Sequence, residues 1–192
     1  NLKSKGDGLV NLADMINELE EDKVNDILLS FSCNENKDIE SFLHKKAIEF
    51  SKQSLARTHL VFSSYKSKNV LIAYFSLSSK VMHIVPDALS KNLRKKITKF
   101  GQFNSDIKKY IVSAPLIAQL GKNFKYKKQN LITGDELLKL ACDKVFDIQL
   151  VIGGKIVYIE CEDKPKLIEF YSSNGFVEFG QRKLDKDEKD NL

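Results

Sequence analysis

The chain has 192 residues, 42% hydrophobic content and a net charge of +5, enough for one domain with its own core. No window approaches eighteen uninterrupted apolar residues, which excludes a helical membrane span, and the opening NLKSKGDGLV lacks the apolar centre of a signal peptide. The three cysteines, Cys33, Cys142 and Cys161, have neither CxxC nor metal spacing, so buried reduced thiols in a cytoplasmic protein are expected.

In chain order, residues 1–8 are polar. Leu12, Met15, Ile16 and Leu19 predict a short amphipathic helix ending in the acidic run from Glu18 to Asp22. Residues 1–24 are read as a helical extension, packed on the domain edge or offering a homodimer or antitoxin contact. Ile27 to Cys33 reads as a strand. Asn34 to Asp38 is turn chemistry with an N-cap. Ile39, Phe42, Leu43, Ala47, Phe50 and Leu55 predict one long amphipathic helix.

Thr58 to Ser63 and Val70 to Val85 read as an antiparallel pair around a turn at 66–69, the second member apolar enough to be central. Pro86 ends it. Leu89, Leu93, Ile97 and Phe100 then predict a helix whose other face carries Lys91, Arg94, Lys95, Lys96 and Lys99. That face suits solvent, or an acidic surface or RNA backbone. Residues 86–109 are read as a basic helical insertion, within a domain covering 25–184.

Tyr110 to Gly121 reads as a strand that Pro115 forces to bulge or splay, or confines to an edge. Thr133 and Glu136 have capping-box spacing. Leu137, Leu138, Ala141, Val145, Ile148 and Ile152 follow on one helical face until Gly153-Gly154 stops it. Ile156 to Cys161 is a short strand. Pro165 opens a helix carrying Leu167, Ile168 and Tyr171. Asn174-Gly175 ends it, and Phe176 to Phe179 begins a further strand. Residues 185–192 form a charged tail that cannot pack.

The segment from Lys166 to Phe176, an aliphatic–aromatic–Tyr helix running into Asn174-Gly175-Phe176, resembles the late motif of the GNAT N-acyltransferases. Leu116 to Lys122, followed by Thr133-Gly134 and a helix, resembles that superfamily's cofactor-binding strand–loop–helix. The order of elements agrees over roughly residues 57 to 184. The resemblance implies an α/β (α+β) fold with a mostly antiparallel central sheet, one splayed parallel strand pair, and flanking helices. The implied activity is acetyl transfer from acetyl-CoA to a primary amine by direct attack. The late half also resembles the branch that includes toxins acting on aminoacyl-tRNA, and phage- and plasmid-borne relatives; a small-molecule or peptide amine acceptor stays open.

The resemblance also assigns residues. The diphosphate would lie against Lys127, Lys128, Gln129, Asn130, Ile132, Thr133 and Gly134, at a helix N-terminus whose amides and dipole favour anions. Ile132 stands where the family's first glycine is expected. The thioester oxygen would meet a backbone N–H near Gln119, Leu120 and Gly121. Tyr171 sits at the family's position for the acid that protonates the leaving thiolate. A phenol with an ordinary pKa of about 10 is protonated at neutral pH.

From the residues alone, Glu160 is a candidate base, because it alternates with apolar neighbours on its strand. The same residues also suit plainer roles: a capped structural helix, a core tyrosine, a solvated carboxylate. His44, His59 and His83 are isolated, and no metal-ligand spacing is present.

Overall fold

The computed structural model describes residues 8–181. The polar start up to residue 7 and the charged tail at 185–192 therefore lie outside the described residues. Six strands are described: β1 (Leu9–Asn11), β2 (Arg57–Tyr65), β3 (Lys68–Ile84), β4 (Gly101–Asn104), β5 (Lys109–Lys122) and β6 (Tyr158–Ile159). They form one sheet in the order β1-β2-β3-β5-β4, with β6 pairing β5 off that path. The pairs β1/β2, β2/β3 and β4/β5 are antiparallel. The helices are α1 (Leu12–Glu18), α2 (Glu21–Leu29), α3 (Lys37–Lys45), α4 (Ala47–Lys52), α5 (Lys91–Ile97), α6 (Gly134–Ile152) and α7 (Pro165–Ser173). Two compact units divide the described residues: 8–78 with 117–147, and 79–116 with 148–181.

The first unit builds its core on β3, where Leu71 through Leu77 are all buried, as the apolar run requires. Tyr74 is fully buried, and its hydroxyl donates to Ile39 O at 2.6 Å, so the polar tip is satisfied. Phe31 packs edge-on to Tyr74 at 5.1 Å and Phe42 stacks on it at 6.4 Å. The hairpin turn is two residues long, with positive φ at Lys66 and Ser67, the twist that joins two strands most directly. Gly8 lies against β2: a Cβ there would stand 2.2 Å from Phe62 O, so only glycine permits the approach.

Several expectations are corrected in this unit. Residues 27–33 are not a strand; Glu21 to Leu29 is helical, followed by irregular chain. Val24, Leu28 and Phe31 recur at helical steps and are buried, and Glu21 and Asp22 begin the helix, where its dipole welcomes negative charge. The acidic run thus opens the second helix as well as closing the first. The long helix expected from Ile39 to Leu55 is two helices, interrupted at Lys46 with φ −119°. Its N-cap is as read: Asn36 Oδ1 accepts from Asp38 N and Ile39 N.

The second unit buries Met82, Ile84, Leu89, Ile97, Val112, Leu116 and Tyr158. Within the stretch read as a helical insertion, β4 forms a hairpin with β5. Asn104 Oδ1 accepts from Asp106 N and Ile107 N, making the turn. The strand expected over 156–161 contracts to Tyr158–Ile159, and the strand expected from Phe176 does not form. Phe176 N instead donates to Tyr171 O, prolonging the end of α7, while Gly175 takes φ +84°. Cys33 is buried, but Cys161 is exposed, against expectation, because its strand is too short to cover it. The apolar face of α6 is buried through Val145, whereas Ile148 and Ile152 are exposed, because the periodicity outruns the core that it faces. No described helix is long and apolar enough to cross a membrane.

Candidate active site

In the first unit, β5 delivers the chain into a lysine-rich 3-10 turn, Phe124–Gln129, and then into α6. The junction is pinned by Asn123, only 3% exposed. Its Oδ1 accepts from Ser32 N and Lys125 N, each at 3.1 Å. Its Nδ2 donates to Leu71 O at 2.8 Å and Ser30 O at 3.2 Å. Its own N–H donates to Ile72 O at 2.7 Å. One side chain thus ties β3, the 30–32 segment and the lysine turn together with nearly its full hydrogen-bonding capacity in use. Sequence reasoning missed it, since a lone Asn directly after Lys122 at a strand end reads as turn chemistry and carries no local signal of these partners.

The assigned cofactor residues separate into groups. Lys127, Asn130 and Ile132 border one small cavity of about 50 Å³, which Asn123, not among the assigned residues, also lines. Lys127 Nζ pairs with Glu35 Oε1 at 2.7 Å and lies over the Phe124 ring. Lys128 is exposed, and Gln129 Nε2 donates to Tyr65 OH at 3.4 Å. Asn130 takes a left-handed φ of 44°, turning the chain toward α6, and Ile132 is buried. Gln119 and Leu120 are half-buried on β5. Gly121 faces the core: a Cβ there would stand 2.4 Å from Ile39 Cγ2 and 3.3 Å from Phe31 Cζ, so its glycine serves close packing.

The capping box is complete. Glu136 N donates to Thr133 Oγ1 at 3.1 Å, and Glu136 Oε2 accepts from Thr133 N at 2.9 Å. The amide of Thr133 is therefore held by a carboxylate, an anion already in place at the helix N-terminus. The corner thus sets Lys125, Lys127, Lys128 and the positive end of the α6 dipole beside the carboxylates of Glu136 and Glu35.

In the second unit, Tyr171 lies on α7 among Phe170 at 5.0 Å and Phe176 at 5.9 Å. Burial, with a smaller contribution from Cys161, pushes its phenol up to about 12. It is therefore neutral and proton-bearing throughout the physiological range. Glu160 follows β6 and takes Lys80 Nζ at 3.2 and 3.4 Å, so a cation accompanies the carboxylate. Lys164 pairs with Glu162 just ahead of Pro165.

No protein-family model matches the chain, and no curated protein matches it in sequence. Solved structures do match in fold. AtaT complexed with acetyl-methionyl-tRNAfMet superposes with a TM-score of 0.61 at 18% identity, covering 81% of this chain and 82% of that one. A tyrosine-to-phenylalanine mutant of KacT gives 0.62 at 17%, covering 94% and 91%. A tyrosine-to-phenylalanine mutant of the AtaT toxin, bound to the C-terminus of the antitoxin AtaR and acetyl-CoA, gives 0.54 at 14%, covering 84% and 81%. The chain shares with these proteins a mixed α/β fold, an antiparallel sheet flanked by helices, as the GNAT resemblance implies.

Proposed function

We propose that the chain is an acetyl-CoA-dependent N-acetyltransferase whose acceptor is the amine of an aminoacyl-tRNA and whose partner is an antitoxin. The observation that carries the reading is the lysine turn and capped helix at the end of β5, within a fold whose neighbours are seen with acetyl-CoA, tRNA and antitoxin. Bound acetyl-CoA supplies an activated thioester carbonyl.

The chain's residues supply the rest. Lys127, Lys128 and the first turn of α6 hold the diphosphate. A backbone N–H at Gln119 or Leu120 donates to the carbonyl oxygen, where charge develops. As the acceptor nitrogen forms its bond to carbon and the carbon–sulfur bond breaks, Tyr171 gives its proton to sulfur and regains one from solvent. The proton shed by nitrogen leaves through water, with Glu160 as the relay.

The test is transfer of radiolabelled acetyl from acetyl-CoA to a pool of aminoacyl-tRNAs, with a peptide and a polyamine amine in parallel. Label in the RNA fraction supports the reading. Label in the peptide or polyamine alone overturns the acceptor, and no label in any arm overturns the activity.

A further inference from the structure

Residues 86–110 hold seven Lys and Arg against two Asp, a surplus of five that equals the net charge of the whole chain. The entire positive excess thus sits on the stretch that carries α5 and β4, within the second unit. Lys91, Lys95, Lys96 and Lys99 are exposed, and none has an ion-pair partner among the described residues. Arg94 is different: its guanidinium donates to Pro86 O at 2.6 Å and lies 3.5 Å from Asp87, so it braces the helix start.

Apolar surface is exposed among these charges. Phe100 is 40% exposed, Phe103 53% and Ile107 47%. Phe103 stands directly across the β4/β5 ladder from Tyr110, with ring centroids 5.3 Å apart. Strand alternation puts Phe103 on the same face as Gly101. A Cβ on Gly101 would meet Val112 Cγ2 at 2.5 Å and Ile97 O at 3.4 Å, so the end of α5 lies over that face beside the aromatic pair. Lysines for phosphates and an open aromatic pair for bases are the two components that hold a single strand.

We propose that α5 and the β4/β5 hairpin form a docking surface for single-stranded RNA. The surface is independent of the acetyl chemistry; naming its RNA as the strand that brings the acceptor amine rests on the function proposed above. A protein partner would bury Phe103 as well, so the salt slope and the acidic-peptide competition below separate it from RNA.

The test is fluorescence anisotropy of the full chain with a labelled twelve-nucleotide RNA across a salt series, without acetyl-CoA. Wild type is expected to bind with a steep negative dependence on log salt. Combining Lys91→Gln, Lys95→Gln, Lys96→Gln and Lys99→Gln lowers that slope by about 3, at about 0.7 per phosphate contact on a single strand. Phe103→Ala weakens binding about five- to a hundred-fold with the slope unchanged. Lys139→Gln with Lys144→Gln, on α6, changes neither. An unaltered slope in the quadruple variant, an unaltered affinity in Phe103→Ala, or equal competition by an acidic peptide overturns the proposal. Acetyl-CoA binding, followed by thermal shift in the same preparations, separates the two readings. Loss of RNA binding with cofactor binding retained sinks only this surface; the reverse sinks only the acetyl transfer.

Discussion

Replacing Asn123 by alanine removes the side chain that joins three segments of the first unit. Four side-chain hydrogen bonds are lost, to Ser32 N, Lys125 N, Leu71 O and Ser30 O. A typical intramolecular bond contributes about 1 kcal/mol net, and a partner left buried costs about 1–3 kcal/mol. The bond to Leu71 O is buried, whereas the other three are partly buried and water can replace some of them. The expected loss is about 2–4 kcal/mol, read as a lower urea midpoint at unchanged m-value.

The same variant frees the start of the lysine turn, so acetyl-CoA affinity falls with stability. Asn123→Asp sharpens the test, because it keeps the acceptor oxygen and turns the donor against Leu71 O and Ser30 O. A carboxylate there has its folded-state pKa raised. The cost is full above that pKa and shrinks as acid protonates the group and restores a donor. Asn123→Asp is therefore expected to be more damaging at pH 7 than at pH 4, relative to wild type at each pH. A loss below about 1 kcal/mol in Asn123→Ala, or no pH dependence in Asn123→Asp, refutes the reasoning.

Tyr171→Phe is expected to lower the transfer rate about 10²–10⁴-fold while acetyl-CoA affinity, by calorimetry, stays within about two-fold. Because the Tyr171 phenol is pushed up to about 12, the rate profile has no descending limb from its ionisation between pH 6 and 10. Gly121→Ala costs about 1–3 kcal/mol in urea unfolding through the contact with Ile39, and an Ile39→Ala background reduces that cost. Glu136→Gln keeps the capping geometry while removing the competing charge, so it tightens acetyl-CoA binding in the same titration. Burial lowers the His59 pKa below 6.5, so the unfolded chain takes up the proton first. Stability then falls as pH drops below 6.5, by at most about 1.4 kcal/mol per unit from this group, and His59→Leu flattens that slope.

Elements with strong periodicity or unambiguous caps were legible in the residues. The Thr133–Glu136 box, the Asn36 cap, the β2/β3 pair and the Pro165 helix all stand where their local chemistry puts them. Ile27 to Cys33 misled because a short apolar run satisfies a strand and a buried helix end alike, and only its neighbours decide. β4 escaped notice because four residues with two exposed side chains carry little pattern; the Asn104 turn beside it was the better signal. Asn123 was beyond reach, since its role exists only once Ser30, Ser32 and Leu71 come to surround it. Gly121 shows the converse: a glycine that suits a ligand-binding strand on paper is required by Ile39 and Phe31 in the fold.

Single-turnover transfer of labelled acetyl from acetyl-CoA to aminoacyl-tRNA, comparing wild type with Tyr171→Phe at saturating cofactor, decides whether the chain is an acetyltransferase that uses the Tyr171 phenol. Wild type is expected to put label on the RNA, and the variant to do so at a rate at least about a hundred-fold lower. Absence of label with folded, cofactor-bound wild type, or equal rates for the two proteins, contradicts that expectation.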